Sequence, residues 1–243
     1  MYNHTPSPAN RLIVLFIGML SLVPIRLAAQ DSEKPVIRLE AAYTQSKQKE
    51  SDADNARLYY HGGRIGASIE WLIPHTEVLV LRSGLFYSMQ YGSNTQTYPN
   101  INPAVGRIEY IAYTHYKHDI EVPLHVEINV RIWKDLHLFA FSGPYLNIGL
   151  AHPTQADVYL TDDTKQVMRE TYGYELESGT RDLYSVKDYD ALRRFNLQLG
   201  VGGGIQFKRW RLQGGYDWGM IDIGRRANKM KTNTWYAGLS YAF

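Results

Sequence analysis

The sequence contains no cysteine. That excludes a disulfide framework, Fe–S and cysteine-ligated zinc sites, and a lipoprotein anchor, and leaves the compartment open. Net charge is nearly absent, with 26 basic residues against 24 acidic, so there is no electrostatic footprint for nucleic acid. Past the N-terminal segment no stretch is apolar enough for a membrane-spanning helix. Phenylalanine is scarce, at 7 against 19 tyrosines and 5 tryptophans. Aromatics with a polar tip suit a surface that is half apolar and half wet.

The N-terminus supplies the compartment. "MYNHTPSPANR" is polar with one basic residue, "LIVLFIGMLSLVPI" is apolar, and "RLAAQ" ends in small residues. This pattern predicts a secretory signal over residues 1–29, cleaved after Ala29, with a mature domain over 30–243. The apolar run of 14 residues, interrupted by Pro24, falls short of the ~20 that a spanning helix needs. Removing Arg11 and Arg26 leaves 24 basic residues against 24 acidic.

What fills the rest of the chain is alternation. In "DIEVPLHVEINV", Ile120, Val122, Leu124, Val126, Ile128 and Val130 share one face, and Asp119, Glu121, Pro123, His125, Glu127 and Asn129 the other. A period of two over that length is a strand with one greasy and one polar face. Seven further segments show the same period, beginning near Ile37, Ile65, Leu79, Leu136, Phe195, Leu212 and Trp235. Short connections ("PHTE", "RIWKD", "KRW") alternate with long polar ones, the longest running from about Ala151 to Leu192. Short turns therefore collect at one end and long loops at the other, the layout of an outer-membrane barrel.

The polar faces carry charges of both signs: Arg38, Glu40, Arg64, Glu70, Arg82, Glu121, Glu127, Arg194, Arg211 and Asp217. In a soluble core this many charges would be prohibitive. An eight-stranded barrel has an interior just wide enough to be filled by side chains, so paired Arg and Glu fit inside if the outside meets lipid. The expected fold is all-β: an eight-stranded, antiparallel, up-and-down transmembrane β-barrel. In "LQLGVGGGIQF", Gly200, Gly202 and Gly204 face inward and leave room for long charged side chains. A dinucleotide loop fails there because Ile205 occupies the last glycine position. Tyr59, Tyr87, Tyr91, Tyr110 and Tyr116 fall at the long-loop ends, and Trp71, Trp133, Trp210 and Phe243 at the short-turn end, as two interfacial girdles. The last strand, "TNTWYAGLSYAF", is similar to the signal by which the outer-membrane barrel assembly machinery recognises its substrates.

Five stretches, "YKHDIEVPLHVEI", "FAFSGPYLNIGL", "FNLQLGVGGGIQF", "LQGGYDWGMIDI" and "WYAGLSYAF", resemble the PorT-type outer-membrane β-barrel family, small relatives in architecture of OmpA and OmpX. The resemblance spans most of the mature chain. It implies the outer membrane of a Gram-negative bacterium, with both mature termini periplasmic, and an accessory role in protein secretion of the type IX kind. Expected partners are outer-membrane lipid, the barrel assembly machinery and secretion-system components. It implies no catalytic residues, and in this family a proline at the position of Pro123 is usual.

The residues offer little that points to catalysis or metal binding. His115 and His118 face opposite sides of a strand, so local spacing does not unite them. "TDDTK" and "DYD" lack the regular acidic spacing of a calcium loop. No metal, cofactor or enzyme activity is expected; a small porin-like or structural barrel is the alternative function, and an outer-membrane hydrolase a distant third. The loop from Asp157 to Asp190 holds nine acids, four bases and five tyrosines. Tyr159, Tyr172, Tyr174, Tyr184 and Tyr189 are the candidate partner-binding residues, because tyrosines interleaved with charge suit an adhesive surface. A closed barrel of this kind should migrate faster on gels unheated than boiled and show strand-dominated circular dichroism; equal mobility would refute closure.

Overall fold

The computed structural model describes residues 34–50, 57–76, 78–98, 109–173, 177–185, 191–225 and 229–243. The signal expected over 1–29 lies outside them. Ten strands form one sheet: β1 (Val36–Glu50), β2 (Arg57–Leu72), β3 (Leu79–Tyr98), β4 (Glu109–Arg131), β5 (Leu136–Ala151), β6 (Pro153–Tyr159), β7 (Gly179–Asp182), β8 (Phe195–Phe207), β9 (Trp210–Gly219) and β10 (Met230–Ala242). A single helix among the described residues, α1 (Asp162–Tyr172), stands between β6 and β7. Eight strands pair around a closed ring, β1-β2-β3-β4-β5-β8-β9-β10, with β10 returning to β1. All eight expected strands are present, every pairing is antiparallel, and closure leaves no edge.

Period two decides which side chains face lipid. Leu39, Ile65, Leu85, Val126, Leu138, Ile205, Leu212 and Leu239 are all exposed, while Arg38, Glu40, Arg64, Glu70, Arg82, Glu127 and Arg211 are buried. The barrel is inside-out relative to a soluble domain, which is the stable arrangement when the surrounding solvent is hydrocarbon. Pro123 interrupts the ladder as its missing N–H requires. The β3–β4 register passes from Ser83↔Leu124 to Phe86↔Glu121 with no pairing between.

The lumen is filled in tiers. At the short-turn end, Arg211 on β9 reaches Glu70 on β2 at 2.5 Å and Glu127 on β4 at 2.8 Å. Arg82 on β3 pairs with Glu40 on β1 at 2.5 Å and donates to Gln213 on β9 at 2.9 Å. Arg38 pairs with Glu70 at 3.0 Å. At mid-height Arg64 donates to the Tyr145 hydroxyl at 2.6 Å, lies 3.6 Å from Glu121, and stacks 3.8 Å over the Tyr236 ring.

Two expectations about the lumen change. Arg194 is exposed, one residue before β8 begins at Phe195. Its guanidinium donates to the carbonyls of Gly149, at 3.1 Å, and Leu150. Of the inward glycines, Gly200 leaves room for a charged side chain as expected, a Cβ there standing 2.5 Å from Asp217 Oδ1, whereas Gly202 and Gly204 accommodate aromatic rings. A Cβ on Gly202 would stand 2.4 Å from the Phe141 ring and one on Gly204 2.9 Å from the Phe139 ring. The arginines then stack on those rings, Arg211 4.2 Å over Phe139 and Arg82 5.7 Å over Phe141.

Removing one partner of a buried ion pair leaves an uncompensated charge and costs about 3–5 kcal/mol. Arg211→Met should therefore lower the urea midpoint of the unheated gel band sharply, and adding Glu127→Gln alone should restore part of it, because Glu70 is still held by Arg38. A single variant as resistant as the parent protein would mean that the pairs contribute nothing to stability.

Candidate functional site

Both ends of the lumen are committed to structure, so free surface must be sought beyond the ring. A barrel strand needs only about 9–11 residues to cross the bilayer, yet β4 has 23 and β3 has 20. Their ends farthest from the short turns therefore project past the membrane span. There β4 leaves β5 and pairs with β6 instead, from Tyr110↔Tyr159 to His115↔Thr154, and β6 pairs with β7. The long third loop thus carries its own strands and helix.

α1 follows from its sequence. Thr161 caps it, Asp162 and Asp163 fill the first turn, and Arg169 lies in the last, an order that complements the helix dipole. Gly173 ends it in the left-handed region at φ 69°, donating its N–H to the carbonyls of Arg169 and Met168, where a residue without Cβ is favoured. The acids of "TDDTK" thus serve the start of a helix.

Glu109, the first residue of β4, holds this helix to the barrel. Its carboxylate is buried and accepts from the Thr161 N–H at 3.0 Å, the Thr161 hydroxyl at 2.5 Å and the Thr164 hydroxyl at 2.5 Å. Burial acts to raise this carboxyl, but the hydrogen bonds from Thr161 and Thr164 outweigh it and hold the group below the usual carboxylate range.

The five candidate tyrosines separate. Tyr159 is 54% exposed and stacks on Tyr110 with centroids 4.7 Å apart. Tyr172 is the last residue of α1. Tyr174 and Tyr189 lie outside the described residues. Tyr184 is only 5% exposed and offers no docking surface. It closes the barrel mouth, its hydroxyl donating to Asp119 at 3.5 Å and its ring meeting His152 edge-on at 5.5 Å. Leu192 and Ile223 bury it further.

Beneath Tyr184 the Tyr60 hydroxyl lies 3.1 Å from Gln48 and 3.2 Å from His152, and Lys117 pairs with Asp119 at 2.6 Å. His115 points inward to Thr154 and Asn94, both at 2.8 Å, whereas His118 points outward to Tyr87 at 2.6 Å. The two do not form one site. Among the described residues no group of three His, Cys, Asp or Glu could hold a metal ion.

A closed ring of eight strands with a lipid-facing apolar wall and an ion-paired lumen defines a small integral outer-membrane barrel. The chain belongs to the outer membrane protein β-barrel domain family, whose model matches residues 29–225. That membership implies the outer membrane of a Gram-negative bacterium. Among solved structures the chain is similar to Neisserial surface protein A, with 12% identity over 87% of this chain and 100% of that one and a TM-score of 0.42. It is similar also to Ail, the attachment invasion locus protein of Yersinia pestis, with 14% identity over 87% and 100% and a TM-score of 0.35. The outer-membrane protease OmpT from Escherichia coli shares 8% identity over 88% and 98%, with a TM-score of 0.36. No curated protein matches the sequence.

Because Glu109 is depressed in the folded protein, its contribution is present above the usual carboxylate range and lost as the pH falls through the folded value. The protection of the Thr161 and Thr164 amides, taken relative to their intrinsic exchange rate at each pH, should fall on acidification into that window. In Glu109→Gln it should be low already at neutral pH, with gel mobility unchanged. Protection factors independent of pH would show that Glu109 does not anchor α1.

Proposed function

We propose that this barrel is a non-enzymatic binding or assembly factor of the outer membrane, with a PorT-like accessory role in protein secretion as the sharpest form of that reading. Its partner docks on the outer cap formed by β6, α1 and β7. The observation that carries the proposal is the ordering of this cap on a dedicated anchor, Glu109 with Thr161 and Thr164, above a lumen occupied by ion pairs. The wall is committed to lipid. The short turns, such as Lys208-Arg209 between β8 and β9, are too small to bury the ~800 Å² per partner of a stable interface. The cap presents Tyr159 and the exposed acids Asp162 and Asp163. Tyr172, Tyr174 and Tyr189 extend the same proposal.

In this reading the cap faces outside and both mature termini lie in the periplasm. A cysteine at Ser178 should then react with an impermeant maleimide on intact cells, and one at Thr76 should not. Replacing residues 157–178 by an Asn-Gly turn keeps Ala156↔Gly179, a pair of the existing ladder, so the shortened barrel should assemble and shift on heating. Secretion in a deletion strain should then fail to be restored. Full complementation by the assembled variant would refute docking on the cap, and steady large conductance steps in planar bilayers would favour a porin.

A further inference from the structure

The closure of β10 onto β1 sets cations against one another. On an outward row, Lys49 stands directly opposite Lys231. Lys49 and Lys231 are exposed. Lys47, one outward position nearer the membrane, lies 5.8 Å from the centre of the Tyr59 ring. Like charges directly opposite in a sheet are destabilising, and Glu40 on β1 and Glu70 on β2 are buried in the lumen. Among the described residues no acid pairs with Lys47, Lys49 or Lys231.

The height of the cluster identifies the anion. The outer girdle is drawn by Tyr43, His61, Tyr91 and Trp235: Tyr43 meets His61 at 2.7 Å, and its ring lies 5.4 Å from that of Trp235. Lys47 and Lys49 follow Gln45 by two and four residues, roughly 7 and 13 Å along the strand. The cations therefore face the headgroup layer. Two outward rows nearer the bilayer centre than Lys47, past the Gln45–His61 row, the wall is hollowed into a groove of about 750 Å³. Gly63, Ala41 and Ala237 make its floor, and Tyr43, Ile65 and Met89 flank it. A groove for a hydrocarbon chain beneath a cluster for an anion is the shape of one amphiphile.

We propose that this face binds a phosphate-bearing, acylated lipid of the outer leaflet, with its phosphate among Lys47, Lys49 and Lys231 and one acyl chain over Gly63. A second copy of the chain fits worse, because a two-fold contact through this face brings lysines against lysines.

Gly63 allows a clean test. A Cβ there would meet only the Ala42 carbonyl, at 3.4 Å, an ordinary contact, whereas its neighbour Gly62 has no room, with the Met89 carbonyl at 2.0 Å. Gly63→Leu therefore fills the groove without disturbing the ladder. The full chain, purified in detergent, is titrated with bisphosphorylated lipid A and bound lipid is counted by native mass spectrometry. Each lysine near an anionic headgroup layer contributes about fivefold, so Lys49→Gln with Lys231→Gln should weaken binding roughly 30-fold. Gly63→Leu should also weaken it, both variants keeping the heat-dependent gel shift. Equal binding of dephosphorylated lipid A, or of lipid A by either variant, would overturn the proposal. So would displacement of the lipid by inorganic phosphate alone, which would mark a free-anion site. A dimer that disappears in Gly63→Leu would assign the face to a second copy instead.

Discussion

A guanidinium enclosed by a wall that faces hydrocarbon can find an anion only across the lumen, and the rest of the barrel is arranged around that necessity. Arg211 reaches from β9 to β2 and β4, and Arg82 from β3 to β1 and β9. These contacts join strands that are not neighbours in the sheet, so they fix the ring's cross-section as backbone ladders alone would not. They also fix register. Sliding β9 by one residue would turn Arg211 to lipid and Leu212 into the charge network, an exchange costly on both faces.

The constraint explains where several of the interior aromatics lie. Phe139, Phe141 and Tyr236 each sit under an arginine, adding cation–π attraction among buried side chains. Gly202 and Gly204 are small so that two of these rings can lie flat against β8. Above the membrane the physics changes, since water can solvate loops. There a single buried carboxylate, Glu109, does locally for α1 what the ion pairs do for the ring.

Much of this was legible because period two and loop length are local properties. Eight strands, their inward and outward faces, the segregated turns and the inward parity of Arg38 through Asp217 all follow from patterns within one strand at a time. Arg194 broke the rule because parity holds only inside the ladder, and its position lies one residue before β8. The helix could have been found from Thr161, Asp162, Asp163 and Gly173, which carry start and stop signals, but the loop's composition concealed them. The burial of Tyr184 had no such signal: it depends on Leu192, Ile223 and Asp119, which only the fold brings together. The opposition of Lys49 and Lys231 was likewise invisible until the first and last strands met.

That meeting has a consequence for biogenesis. Glu70 and Glu127 belong to strands made early, and their shared counterion arrives only with β9, late in the chain. A fragment that stopped after β8 would keep Arg38 for Glu70 and Arg82 for Glu40 but carry one carboxylate more than its cations can pair, so insertion of an unfinished wall is opposed by its own electrostatics. Completion of the polymer and entry into lipid are thereby coupled, and the lumen acts as a checkpoint that only the entire set of strands can pass.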